Sequence, residues 1–294
     1  MTNQRHANMQ GGSHLEYTFT DREFQMIAEL AKQHYGLHLQ PSKKPLVYSR
    51  LTKRLRALDL RDFESYCTVL LQPQGQEEKT HLLSALTTNV THFFRERHHF
   101  SYLREKLMPG LIAKAKAGSA VRIWSSACSA GQEAFSIAAM VLDACPEATR
   151  LNIKILATDV DAQMIQNARR GQYDSDQSEA IPDEYKALML QDNATGFQMK
   201  PELQALVTFG ELNLIKDWPM RRLFDVIFCR NAAIYFDKPT QSHLWQRFAD
   251  VLQNDGHLMI GHSERLAGPA EAMFRNVGIT TYQRIPRNGD KILP

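Results

Sequence analysis

Apolar positions in the first third of the chain recur at helical spacing. Phe24, Ile27, Ala28, Leu30 and Ala31 line one side of a helix, with Thr20 and Glu23 as a capping-box start and Gly36 as its end. The spacing predicts a second helix over about Lys44–Leu58. A third starts near Asp62, with Phe63, Tyr66, Leu70 and Leu71 as its buried face, and a fourth spans 79–87 after the turn QPQGQEEK. From Ala120 the pattern changes to short apolar runs at 121–126, 152–158, 206–210, 223–229, 256–261 and 279–285, with helical stretches between most of them. Repeated βα units predict an α/β fold, a mainly parallel sheet with helices on both faces. The short segment 262–278 before the last run predicts an antiparallel edge strand. Residues 171–206 are too long for a plain connection and predict an inserted subdomain with a helix and a small hairpin around Asn193–Gly196.

The organisation read from this pattern is a tail over 1–16, a helical domain over 17–83 and an α/β domain over 84–294, with the insertion at about 171–206. The first residues, MTNQRHANMQGGSH, are polar and lack a signal-peptide core, so the tail is expected to be disordered and export is not expected. No apolar run reaches membrane-spanning length. The four cysteines stand far apart without a C-x-x-C pair, which argues against a zinc site or a disulfide framework and fits a reducing cytoplasm. His34, His38, His98 and His99 have no set of partners at ligand spacing, so no metal is assigned. A net charge of +3 implies no global affinity for nucleic acid, yet Lys43 to Arg61 holds seven basic residues and one acid. Arg50, Lys53, Arg54 and Arg61 can share one helical side there. A solvated face is the plainer account of such a run; a surface that steers an acidic partner is the functional one.

The first βα turn carries the candidate chemistry. VRIWSSACSAGQEAFSIA runs strand, small-residue loop, helix, the shape of a ligand-binding turn. Phosphate sites of this shape rely on bare N–H groups at a helix N-terminus, whereas this loop bears a carboxylate, Glu133. Either the acid only complements the helix dipole, Ser129 and Gln132 forming a capping box, or the ligand is cationic. Asp159 ends the second strand, 26 residues after Glu133, where an acid can accept from ribose hydroxyls or cap the following helix. Together the two acids favour an adenosine ligand with a positive end, and S-adenosylmethionine fits. The fourth strand, FDVIFCRNAAIYF, brings Arg230, Asn231 and Tyr235 to the same edge, although a tyrosine in such a stretch also serves as a core residue. The stretch Thr88–Arg95 sets small polar residues and an arginine around Phe93-Phe94, which a plain linker does not need.

Taken in order, TTNVTHFFRERHHF, WSSACSAGQEAFSIA, ATDVD, FCRNAAIYFDKPTQ and GHLMIGHSE resemble the chemotaxis receptor glutamate methyltransferases, the CheR family, over about residues 20–285. The resemblance implies an all-helical N-terminal domain and a Rossmann-like class I S-adenosylmethionine methyltransferase domain with a small inserted β-subdomain. It implies transfer of a methyl group to receptor glutamates, giving glutamate 5-O-methyl esters and S-adenosylhomocysteine, for sensory adaptation. By the family's pattern Asn89, Thr91, Arg95, Glu133, Asp159, Asn213, Leu214, Arg230 and Asn231 line the cofactor site, and Arg95 and Tyr235 stand beside the transferred methyl. The partner implied is the cytoplasmic helical bundle of a chemoreceptor, met by the basic residues Arg50, Lys53, Arg54 and Arg61 of what reads as a cytoplasmic monomer. The chain departs from the family in Gln132, where an acid is usual, and in Ala232-Ala233, where larger residues are usual and the floor of the site would widen. LMLQDNATGFQMK is shorter and poorer in glycine than the loop of members that tether to a receptor peptide, so a tether-independent enzyme is expected. Two rivals stand beside this reading. One is a nucleic-acid methyltransferase, although the Asn-Pro-Pro-Tyr pattern of amino-group methylation is missing. The other is a degenerate cofactor-binding scaffold.

Overall fold

A computed structural model of the chain describes residues 16–193 and 196–286; the expected tail lies outside these residues except for Glu16, as does the turn of the predicted hairpin. The chain divides into two compact units, Met1–Glu29 with Gln40–Leu86, and Leu30–Leu39 with Thr87–Pro294.

The first unit is helical. Helix α1 (Asp21–Tyr35) begins at the expected capping box, Glu23 accepting from the Thr20 N–H at 2.7 Å. Helices α2 (Lys44–Ala57), α3 (Phe63–Leu71) and α4 (Gln76–Leu86) follow. Asp62 caps α3 by accepting from the Ser65 N–H at 2.8 Å. Phe19 stacks on Phe63 at 4.1 Å between centroids, over a core of Leu51, Leu55, Tyr66 and Leu70. Leu71, expected on the buried face of α3, is 59% exposed, and Cys67, one turn from Phe63 and Leu70, is buried instead. Helix α4 starts three residues earlier than predicted, since the short turn Pro73–Gly75 feeds straight into it and Glu77 and Glu78 suit its positive end.

The second unit takes the last turn of α1 and holds a seven-stranded sheet of β1 (Val121–Ser125), β2 (Ile153–Asp159), β6 (Val207–Glu211), β7 (Phe224–Cys229), β8 (Leu252–Ile260), β9 (Phe274–Gly278) and β10 (Thr281–Arg284). Its order is β6-β2-β1-β7-β8-β10-β9, parallel as far as β8 and antiparallel beyond. The chain reverses direction between β1 and β7 along this order, so ligands are expected outside the carboxyl ends of those strands. The expected edge strand is a hairpin of two, with β10 between β8 and β9. Phe274 alone of β9 is buried, so FRNVG shows no apolar alternation to mark it. Helices α7 (Gln132–Ala144), α8 (Ala162–Arg170) and α11 (Lys238–Val251) link the parallel strands. Helix α5 (Arg97–Tyr102) runs through a π turn, Leu103–Leu107, into α6 (Met108–Lys116), where Pro109 removes a backbone donor. The insertion forms a second, antiparallel sheet from β3 (Gln172–Asp174), β4 (Leu190–Asn193) and β5 (Gly196–Met199), with α9 (Asp183–Met189) and α10 (Pro201–Leu206).

Candidate active site

The loop after β1 is built to hold still. Ser126 N–H donates to the Phe228 carbonyl at 2.8 Å, Cys128 N–H to that of Thr158 at 2.9 Å, and the Tyr173 hydroxyl to that of Ala130 at 2.7 Å. Ser129 and Gly131 both take positive φ, +49° and +96°. Gly131 is the N-cap of α7 and gives no side-chain cap, so the Ser129–Gln132 capping box does not form. Glu133 lies in the first turn of α7, where its carboxylate accepts from the Ser125 hydroxyl at 2.6 Å and from Arg230 Nη1 at 2.9 Å. Burial pushes its pKa up; Arg230 and Ser125 oppose this without reversing it.

Arg230, at the end of β7, is the hub. Its side chain is 2% exposed and also bonds the Arg95 carbonyl and Glu96 Oε2, the latter at 3.4 Å. Glu96 Oε1 accepts from the His262 N–H at 3.3 Å and meets its Nδ1 at 3.0 Å. Burial alone would raise the Glu96 pKa, but Arg230 and His262 outweigh it and hold the carboxyl at about 2.

The Phe93-Phe94 pair explains how Arg95 and Glu96 are aimed. Phe94 stacks on Tyr185 at 5.0 Å and Phe93 meets Tyr173 edge-on at 5.0 Å, both rings buried. Phe94 and Glu96 sit at φ +50° and +57°, so this short segment folds back on itself. Phe94 N–H donates to the Ser136 hydroxyl at 3.0 Å. Arg95 then reaches the Val90 carbonyl through Nη1 at 3.1 Å, and Tyr235 points its hydroxyl at the Thr88 carbonyl at 3.4 Å. Arg95 and Tyr235 therefore converge on one three-residue stretch. Tyr235 is half-buried, with a long hydroxyl contact, and its own carbonyl accepts from the His38 N–H at 2.8 Å.

Asp159 uses both carboxylate oxygens on the backbone, from Ser129 N–H at 2.8 Å and Asp161 N–H at 3.0 Å. The cap of α8 is Asp161, which accepts from Gln163 N–H at 3.0 Å and from Asn89 Nδ2 at 3.0 Å. Asn89 thus borders the acid that follows β2, and Thr91, two residues on, is half-buried. Asn213 Nδ2 donates to the His34 carbonyl at 2.7 Å and its Oδ1 accepts from Ile215 N–H at 3.1 Å. Leu214 packs its side chain with Trp124 and Phe224 in the core. Asn231 sits at φ +57°, its N–H on Glu264. Of the two alanines that follow it, Ala233 is fully buried in the core rather than on an open floor. Gln132 donates to Gln177 at 3.0 Å. Asp161, Glu96 and Glu264 were missed by the sequence reading, although Asp161 in TDVDA stood at an N-cap position before a helical stretch.

The four basic residues of the helical unit separate in space. Arg54 makes a two-pronged pair with buried Glu78, at 2.6 and 3.0 Å, and Arg50 donates to the Leu86 carbonyl at 2.6 Å. Lys53 is exposed. Arg61 is 88% exposed but follows the end of α2, beyond Asp59 at φ +53°, so the four do not share one helical side. The histidine pair gains a partner that the sequence did not suggest: Glu96, His98 and His99 bring one possible ligand atom each to within 4.8 Å of one another. The carboxylate among them is already engaged by Arg230 and His262.

Four carboxylates stand at the carboxyl ends of β1, β2 and β7: Glu96 and Glu133 on the Arg230 guanidinium, and Asp159 and Asp161 on backbone N–H groups and Asn89. Burial raises the pKa of both Glu133 and Asp159, so a cation bound beside them would relieve them. The donor set suits a ligand with sulfonium and ammonium charges and ill suits a phosphate.

The sheet is Rossmann-like and its carboxyl edge is rich in acids. The family described as CheR methyltransferase, SAM binding domain, matches residues 89–283, and its partner, the CheR methyltransferase all-alpha domain, matches residues 22–87. The chain belongs to the CheR methyltransferase family. A probable chemotaxis protein methyltransferase of Rhizobium etli is 47% identical over 252 residues, 84% of this chain and 94% of that protein. The chemotaxis protein methyltransferase of Borreliella burgdorferi is 36% identical, over 91% of this chain and 94% of its own. That of Salmonella typhimurium is 37% identical, over 84% and 85%. Among the described residues no helix is long and apolar enough to cross a membrane.

Proposed function

We propose that this methyltransferase esterifies glutamate side chains in the cytoplasmic helical bundle of chemoreceptors, acting in the cytoplasm to adjust their signalling. The observation that carries this is that Arg95 and Tyr235 bond carbonyls two residues apart, those of Val90 and Thr88, while Asn89 between them bonds Asp161. S-adenosylmethionine, when bound, supplies a methyl on a sulfonium: a carboxylate oxygen takes the methyl carbon and the carbon–sulfur pair stays on sulfur, leaving S-adenosylhomocysteine. A glutamate is ionised at neutral pH, its ordinary pKa being about 4.3, so the enzyme needs no general base. Glu133, Asp159, Asn89, Thr91, Arg230 and Asn231 are the residues assigned to the cofactor, with Asn213 and Leu214 as neighbours behind them. Arg95 holds the incoming carboxylate by a charge-assisted bond and Tyr235 orients it, so the work is alignment and exclusion of water. Exposed Lys53 offers positive charge to the receptor, with Arg61, which pairs with Asp62 at 3.2 Å, as a second exposed cation, whereas Arg50 and Arg54 are engaged within the helical unit. The names of the relatives favour chemotaxis proteins over nucleic acid as the acceptor.

The test uses methyl-labelled S-adenosylmethionine, the full chain and membranes that contain chemoreceptors of its own organism. Label on receptor that alkali releases as methanol is expected. Alkali-stable label would overturn the ester reading in favour of N-methylation, and bound cofactor without transfer to any receptor of that organism would overturn the enzyme–substrate assignment.

A further inference from the structure

The GHSE turn that follows β8 holds Glu96 through His262, and it also carries a buried carboxylate. Glu264 is 4% exposed. Its Oε2 accepts from Gly261 N–H at 2.6 Å and Asn231 N–H at 3.1 Å, and its Oε1 from Ile234 N–H at 3.2 Å. A buried carboxylate is costly unless its lone pairs are filled, and here one backbone donor of its own turn and two of the loop after β7 fill them. The carbonyls of the same loop have their own partner, since Gln241 Nε2 donates to Ala233 at 2.8 Å and to Phe236 at 3.0 Å. The loop needs such support, because Asn231 holds a left-handed conformation and Ile234 is exposed. The approach is also close: a Cβ on Gly261 would stand 2.8 Å from Asn231 N, Asn231 Nδ2 and Glu264 Oε2 alike.

The same turn grips the other half of the site. His262, one residue after Gly261, engages Glu96 through both its N–H and its ring, and Glu96 adjoins Arg95. A single four-residue turn therefore braces the neighbour of Arg95 on one side and the neighbour of Tyr235 on the other. We propose that Glu264 is a positioning residue for methyl transfer: by capturing the N–H groups of Asn231 and Ile234 it fixes Tyr235 relative to Arg95. This rests on the reading of Tyr235 as a residue beside the transferred methyl. Glutamine is the informative replacement. It keeps the shape but offers one acceptor oxygen where the glutamate offers two, so an NH2 group must face a backbone N–H.

The experiment compares Glu264→Gln, Tyr235→Phe and the double variant in the full chain, with receptor membranes as substrate and active sites counted by S-adenosylhomocysteine titration. Glu264→Gln is expected to lower kcat about 10- to 100-fold per active site and cofactor affinity, through Asn231, by a clearly smaller factor, a split that mere loss of folded protein does not give. The double variant is expected to fall no further than the worse single one, because the two residues act through one position. Losses that multiply, or a wild-type kcat for Glu264→Gln beside an impaired Tyr235→Phe, would overturn the positioning role alone. A wild-type rate for Tyr235→Phe would remove the reading beneath it and the proposal with it. Should Glu264→Gln not fold, Gly261→Ala presses on the same anchor from its other side and is expected to show the same split; unchanged kcat there would overturn the proposal too.

Discussion

Arg230 donates to Glu133 at 2.9 Å from a side chain that is 2% exposed, and it meets a second acid, Glu96, at 3.4 Å. One buried cation thus compensates two carboxylates from distant parts of the chain. Removing it leaves Glu133 with only the Ser125 hydroxyl and Glu96 with His262, and losing one partner of a buried ion pair costs about 3–5 kcal/mol. Arg230→Met is therefore expected to lower unfolding free energy by that order in urea at pH 7.5. The deficit should shrink at pH 5.5, since a buried Glu133 freed of Arg230 gains a proton more readily. An equal deficit at both pH values would mean that the lost contacts, not the stranded charges, set the cost.

His99 gives the acid limb a definite sign. It is fully buried, its Nε2 is 2.9 Å from the Thr280 hydroxyl, and burial, with Arg230 nearby, pushes its pKa down to about 3. An unfolded histidine protonates near pH 6.5. Between those values the unfolded chain holds the extra proton, so the stability present above pH 6.5 is lost as pH falls towards 3. His257, lowered to about 4, acts in the same direction. His99→Gln is expected to flatten the fall in unfolding free energy between pH 6.5 and pH 4 by up to one proton, about 1.4 kcal/mol per pH unit. Urea titrations at three pH values measure this, and parallel profiles for variant and parent would exclude His99 as the group.

What the sequence made legible were the residues whose position follows from strand ends. Glu133, Asp159 and Arg230 come at the carboxyl edge because an apolar run stops just before each or a helix starts there, and the order of βα units carries the rest. Partnerships were not legible. Arg54 reads as one of a solvated row until Glu78, 24 residues on, is seen to turn it inward. Glu264 acts by capturing backbone N–H groups of a segment that includes Asn231 at positive φ, and no spacing rule announces that. Strand β9 escaped because only Phe274 faces the core, and Leu71 misled because Cys67 passes for a polar position.

Gly131 is a place where one methyl group should matter. Its φ of +96° is strained for any other residue, and an added Cβ would stand 3.0 Å from Ala168 Cβ and 3.1 Å from the Tyr173 hydroxyl. That hydroxyl holds the Ala130 carbonyl, so the loop proposed to meet the cofactor would shift with it. Gly131→Ala is expected to cost about 1–2 kcal/mol from backbone handedness alone. Calorimetry should show a fall in Tm of about 2–4 °C for each kcal/mol, and isothermal titration a weaker affinity for S-adenosylhomocysteine. Unaltered affinity with a lowered Tm would place the cofactor away from this loop.

The charged residues of the helical unit should divide into two classes when reversed one at a time. Lys53 is exposed, so Lys53→Glu changes the field that meets an acidic receptor and little else. Initial methylation rates are expected to fall several-fold at low ionic strength and to converge on the parent rate above about 0.5 M salt, where the Debye length shrinks to a few ångström. Affinity for S-adenosylhomocysteine should not change. Arg54→Glu is a different experiment. It sets a carboxylate against Glu78, which is 6% exposed and also accepts from the Tyr66 hydroxyl at 2.9 Å, so like charges meet in a place without water. Loss of helical signal at moderate temperature and rapid proteolysis of the helical unit are expected, at any salt concentration. A Lys53→Glu rate equal to the parent's at low salt would remove this lysine from the receptor contact, leaving Arg61 to carry the positive face.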